Sequence, residues 1–173
     1  TLLKPDILKA TAPLKASAGL RGGVEGAIHA LRNMFDDTDN EGILLVDADN
    51  AFNRLNRKVA LHNTSVICPE FSVYLVNTYR KPARLYIPNS NGAFILSQEG
   101  TTQGDNCASA FYSCSLIPLM LELPTVPPDL TDPDLAKHVW FADDSGAAGK
   151  LAALKIWWDA LQRLGPSYGY YPK

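Results

Sequence analysis

Two apolar runs, each ending in carboxylates, constrain this chain more than any other feature. Ile43-Leu44-Leu45-Val46 leads into Asp47, and Val139-Trp140-Phe141-Ala142 leads into Asp143-Asp144. Apolar runs of this length bounded by polar residues read as buried strands, so both acidic sets emerge at a strand end or a tight turn. Adjacent carboxylates at the edge of a core repel one another and are costly unless a divalent cation neutralises them. Magnesium suits such a site, because it takes one or two carboxylates and keeps positions for substrate phosphates. The pattern therefore points to phosphoryl or nucleotidyl transfer.

The 173 residues, 46% of them hydrophobic, fit one domain with a real core. A net charge of -2 argues against gripping nucleic acid by overall charge, so a polyanionic partner must be met locally or by regions outside this chain. Opening at Thr1 and stopping at Lys173, the chain reads as a piece of a longer polypeptide. Cys68, Cys107 and Cys114 make no CxxC pair and no ligand spacing with His29, His62 and His138, which read as surface or core histidines. Such cysteine use fits a reduced intracellular setting, nucleus or cytoplasm unresolved. Lys4, Pro5 and Asp6 interrupt the first apolar residues, so these residues are not expected to act as a signal peptide. The apolar stretch from Cys107 to Leu123 carries Ser109, Ser113, Ser115, Pro118 and Glu122 and reads as a core helix, not a membrane span.

Residues 1 to 19 read as irregular chain or a short helix. After the loop Gly19 to Gly23, the apolar residues Val24, Ala27, Ile28, Leu31 and Phe35 recur at helical spacing. Asp36 to Gly42 is an acidic turn, and Ala51 to Ile67 mixes turn and helix. Pro69 starts a helix whose Phe71, Tyr74, Leu75, Thr78 and Tyr79 share a face. Arg84 to Ile87 and Ala93 to Leu96 flank a turn-rich segment and predict a β-hairpin. Gly100 to Asp105 is a polar loop, and Pro124 to Pro133 an extended connection. The last helix begins near Lys150, buries Leu151, Leu154, Trp157 or Trp158, Leu161 and Leu164, and stops at Gly165-Pro166. Of the adjacent tryptophans, one is expected in the core and the other at its rim.

In four segments taken in order, the chain resembles the palm region of a reverse transcriptase, closest in pattern to those of non-LTR retrotransposons. Leu45-Val46-Asp47-Ala48-Asp49-Asn50-Ala51-Phe52 is similar to the first metal-binding motif, Gln98 to Asp105 to the Gln-Gly motif, Phe141-Ala142-Asp143-Asp144 to the aromatic-x-Asp-Asp hairpin, and Leu164-Gly165 to Lys173 to the start of a motif ending in lysine. The resemblance implies an α+β, right-hand polymerase fold: an antiparallel palm sheet backed by helices, part of the fingers in about residues 1–42, the palm in 43–173, and a helix and hairpin at 69–104 inserted before the Gln-Gly helix. On that resemblance, the thumb is expected outside these residues. The resemblance also implies that Asp47, Asp143 and Asp144 are catalytic and hold two magnesium ions, with manganese an acceptable substitute. By the same resemblance Phe52, Gln103, Gly104 and Lys173 bind the nucleotide, and Arg21 and Gly22 touch template. The implied partners are RNA template, DNA primer, dNTPs and the rest of a parent protein with fingers, thumb and an optional endonuclease.

Each role has a plainer counterpart. Asp49 lies on the face of Asp47 but reads best as a solvated turn carboxylate, Gly104 and Gln103 as loop and cap, Arg21 as a solvated arginine, and Phe52 as a core ring. Asn53 departs from the family's usual Asp. Two other functional classes compete: a haloacid-dehalogenase-like magnesium phosphatase, suggested by Asp47-Ala48-Asp49, and a retroelement remnant that folds without catalysing. The phosphatase leaves the Gln-Gly segment unexplained, and the intact aspartates argue against decay.

Overall fold

A computed structural model describes residues 4–11, 22–102, 104–126, 132 and 134–173. Along the chain run α1 (Lys4–Thr11), α2 (Gly23–Asp36), β1 (Gly42–Val46), α3 (Ala51–Arg54), α4 (Arg57–Ile67), α5 (Pro69–Tyr79), β2 (Ala83–Tyr86), β3 (Phe94–Ser97), α6 (Ala108–Glu122), β4 (Lys137–Phe141), β5 (Asp144–Gly149) and α7 (Leu151–Tyr168). The fold is α+β, with two small antiparallel sheets.

The three-stranded sheet has the order β1-β5-β4. Small residues fill its central strand, Asp144-Ser145-Gly146-Ala147-Ala148-Gly149, which lets helices approach both faces. A Cβ on Gly146 would stand 2.6 Å from Leu31 of α2, whereas Ser145 on the opposite face meets Tyr170 beyond α7. Trp140 and Trp157 lie in the core, and His138 between them accepts from both indoles, Nε1 to Nδ1 at 3.2 and 3.4 Å. The rest of the core joins α4, α5 and α6 through Ala60, Phe71, Leu75, Phe111, Leu116 and Leu119. No helix among the described residues is long and apolar enough to cross a membrane.

Several sequence expectations change. The run Ile43 to Val46 is a strand but not a buried one: it forms an edge, and Leu45 is 70% exposed over a cavity. Of the five helically spaced residues in α2, only Ala27 is buried, while Val24, Ile28 and Phe35 are exposed. In α5, Phe71, Leu75 and Tyr79 share the buried face with Ser72, and Tyr74 is exposed. Helix α7 runs on through Gly165-Pro166 to Tyr168, and Gly169, at φ +79°, makes the stop. Leu151 is exposed and Ala153 and Ala160 join the buried face instead, with Trp157 in the core and Trp158 at its rim.

Candidate active site

The register of the sheet brings the two acidic segments together. Val46 pairs with Ser145, so Asp47, one residue on, stands across from Asp144. Side chains alternate along a strand, which places Asp47 on the face of Leu45, and Asp144 on the face of Gly146, both toward α2. A cavity of about 390 Å³ opens on that face, lined by Ala27 and Leu31 of α2, Leu45, Asp47, Phe141, Asp144 and Lys173 among others. Asp143 belongs to the two-residue turn between β4 and β5, which requires Ala142 to adopt φ +50°. Partial burial, with the nearby Asp143 and Asp47 charges, holds the Asp144 carboxyl above the usual carboxylate range.

Behind the carboxylates stands a phenol that the sequence motifs did not single out. Tyr170, fully buried and packed on Trp140, donates from Oη to the Asp143 carbonyl at 3.1 Å and lies 3.2 Å from Ser145 Oγ. Burial and the three aspartate charges push its pKa up, so it stays a neutral donor. Beyond it the chain runs beside Asp47: Lys173 N donates to Asp47 O at 2.9 Å, Asp47 N to Lys173 O at 3.2 Å, and Asp49 N to Tyr171 O at 2.8 Å. Lys173 Nζ consequently sits 3.2 Å from Asp47 Oδ2 and 3.9 Å from Asp49 Oδ1. Asp49 also pairs with Arg54, whose guanidinium lies 3.7 Å over the Tyr171 ring. The solvated carboxylate expected at Asp49 is thus half-exposed but ion-paired.

Phe52, on α3, stacks on Tyr112 with ring centroids 4.8 Å apart. Its carbonyl accepts Thr101 N–H at 2.7 Å, tying the first acidic segment to the Gln-Gly loop. At Gly100, φ +71°, a Cβ would stand 2.4 Å from the carbonyl oxygens of Phe52 and Asn53, so only glycine permits this approach. Arg57, which the motifs gave no hint of, clamps the other side. Its guanidinium donates to the carbonyls of Ser97 (2.9 Å), Glu99 (2.7 Å) and Gly100 (3.0 Å) and to Ser97 Oγ (3.1 Å). Asp105 turns the chain into α6: its carboxylate accepts Cys107 N–H at 2.8 Å and Tyr79 O–H at 2.5 Å. Gly104 is exposed at φ +92° with open space where a Cβ would go. Gln103 and Arg21 lie outside the described residues. Gly22 is the left-handed residue preceding α2.

Three carboxyl groups offer the hard oxygens magnesium takes, and Asp144, whose carboxyl pKa is raised first by burial, also feels the Asp143 and Asp47 charges. As they stand, no group of three or more His, Cys, Asp or Glu side chains among the described residues is arranged to hold an ion. Asp47 is held by Lys173, with half its side chain exposed. The donors suit the ion in kind, but as placed they do not form its shell.

A small antiparallel sheet carrying paired acidic segments, flanked by helices on both faces, is a reverse-transcriptase-like fold. It is similar to apo telomerase from Candida tropicalis truncated from the C-terminal domain, with a TM-score of 0.68 at 13% identity, covering 99% of this chain and 38% of that one. Apo telomerase from the same organism gives 0.65 at 12%, covering 99% and 34%. Telomerase from Candida albicans, in complex with the TWJ fragment of telomeric RNA, gives 0.65 at 11%, covering 99% and 33%. The likeness at such identity is one of fold, and this chain spans between 33% and 38% of the length of those structures. No family model and no curated protein matches the sequence.

Proposed function

We propose that the chain is the palm, with part of the fingers, of an RNA-directed DNA polymerase of the retroelement kind, joining dNTPs to a primer 3′-hydroxyl. The observation that carries this reading is the pairing of Val46 with Ser145, which sets Asp47 opposite Asp144 beside the turn that holds Asp143. Magnesium ions held by Asp47, Asp143 and Asp144 would stabilise the attacking and leaving oxygens of an in-line displacement. The chain's own groups do the rest. Tyr170 fixes the turn through the Asp143 carbonyl, Phe52 presents a ring beside the Gln-Gly loop, and Gly104 lets a nucleotide approach the backbone closely. Lys173 exchanges Asp47 for a phosphate oxygen as the site fills, while Gln103, Arg21 and Gly22 serve nucleotide and template.

The test is primer extension on an RNA template by the full-length parent with Asp47→Asn or Asp143→Asn. Loss of one ligand charge should cost roughly 3 kcal/mol or more of transition-state stabilisation, a drop of at least ~100-fold, with the thermal midpoint unchanged. Extension within a few-fold of the unaltered enzyme would remove the assignment.

A further inference from the structure

The β2–β3 hairpin is a two-stranded ribbon with almost no core of its own. Leu85, Tyr86, Phe94, Ile95 and Leu96 are all exposed, Tyr86 at 64%. Such ribbons are marginal in isolation, and this one is held at its root by Arg57. Register and alternation sort its side chains: Arg84 pairs with Leu96 and Tyr86 with Phe94, so these four share one face. On it the Arg84 guanidinium lies 4.8 Å from the Phe94 centroid, and the Tyr86 and Phe94 rings meet edge to face at 5.9 Å. Gln98 continues the alternation of Phe94 and Leu96 into a cleft of about 350 Å³, where it meets Lys58, Arg80, Lys81 and Tyr79.

The charge of this region runs against that of the chain. Between Arg80 and Glu99 the cations are Arg80, Lys81 and Arg84, and Glu99 is the sole carboxylate, in a protein of net charge -2. Glu99 is already engaged, accepting the Arg57 backbone N–H at 3.1 Å. Lys58, Arg80, Lys81 and Arg84 are all exposed, and none forms an ion pair with a described carboxylate, whereas Arg32, Arg54, Lys137, Lys155 and Lys173 do. Unpaired cations along a cleft, leading to exposed rings, match the two halves of a nucleotide: phosphate on the charges, base on the π faces.

We propose that this cleft and the Arg84/Tyr86/Phe94 face form a binding track for single-stranded nucleic acid. It shares no lining residue with the carboxylate cavity. The track deepens the polymerase reading by giving the unpaired strand a hold of its own, yet its test needs no catalysis, so the two proposals can fail separately. The experiment is fluorescence anisotropy of a labelled 20-nucleotide oligo(U) RNA with the chain, in EDTA, from 50 to 300 mM KCl. Tyr86→Ala with Phe94→Ala should weaken binding at least tenfold while leaving the salt slope unchanged. Arg80→Gln with Lys81→Gln should weaken it and flatten the slope by about 1.4, two phosphates at ~0.7 each. Lys9→Gln with Arg163→Gln, which removes equal charge from exposed positions elsewhere, should change binding less than twofold. All substituted residues are exposed, and circular dichroism checks each fold. If both test pairs bind like the parent, or the control pair weakens binding as much as Arg80→Gln with Lys81→Gln, the track is overturned. If the aromatic pair alters only self-association, measured by light scattering, the face is a protein contact and the proposal fails as well.

Discussion

Phe52 illustrates how much a single residue can be asked to do. One face of its ring is spent on Tyr112, the Phe52 carbonyl is spent on Thr101, and the residue as a whole is half-buried. Packing is therefore part of its role, as the plainer reading held. The same contacts also stop the ring from retreating, which is what a steric gate against a sugar 2′-hydroxyl requires. Phe52→Val in the full-length parent is expected to raise ribonucleotide use relative to deoxyribonucleotide about tenfold, or ~1.4 kcal/mol of discrimination. It should also cost stability, about 1–3 kcal/mol, because the stacked ring is lost. Competition kinetics with matched dNTP and rNTP reads the first effect and urea unfolding the second. Lower stability with an unchanged ratio would leave Phe52 a packing residue only.

At the scale of elements, the end of α7 organises the site. Gly169 lies so close to the α3–α4 connection that a Cβ would stand 2.1 Å from Arg54 O and 2.4 Å from Asn56 N, at a φ of +79°. Asn56 N donates to Tyr168 O at 2.9 Å across the same crossing. Gly169→Ala meets backbone on both sides in a left-handed conformation and should destabilise the protein by roughly 2–4 kcal/mol. Gly26→Ala, on exposed α2 with nothing within 4 Å, should instead stabilise by about 0.5–1 kcal/mol. Urea midpoints compare the two, and equal effects would show that the crossing tolerates a side chain at Gly169. This crossing also marks what the sequence could not reveal. The helices, the β2–β3 hairpin and the two acid-ended strands are legible because local periodicity and turn residues specify them. The pairing of 171–173 with 47–49, the Tyr170 bond to the acidic turn and the Arg57 clamp join residues 27 to 126 positions apart, and no local pattern encodes such meetings. Exposure of Leu45 was equally hidden, because an apolar run looks the same on an edge strand as in a core. Asp47, Asp143 and Asp144 were legible as a set, but the ammonium resting on Asp47 was not.

For the molecule as a whole, the sheet and α7 are joined at a titratable point. His138 faces away from α2, its Nδ1 accepting from Trp140 and Trp157, and burial lowers its pKa from 6.5 to about 4. The folded state therefore holds a neutral ring that the unfolded chain would protonate below pH 6.5, so unfolding takes up a proton between the two values. The sign follows: stability is full above pH 6.5, falls as pH drops toward 4, and levels off below. A shift of this size is worth about 3 kcal/mol, an order-of-magnitude figure. The Asp144 carboxyl, raised in the folded state, works in the opposite sense near its own titration and offsets part of the loss at the acid end. The cost is not confined to His138. A charged ring loses the lone pair that accepts both indoles, loosening α7 from the sheet, and α7 delivers Tyr170 and Lys173 to the carboxylates. Acid should consequently disturb the site before the α4–α6 half of the core. His138→Gln keeps an acceptor without a titrating group and should flatten the unfolding free energy between pH 7 and 4.5, and it should remove the change in folded-state Trp fluorescence expected in the parent as pH falls through about 4. A variant that retains the full slope would move the titration to another group and detach α7 docking from pH.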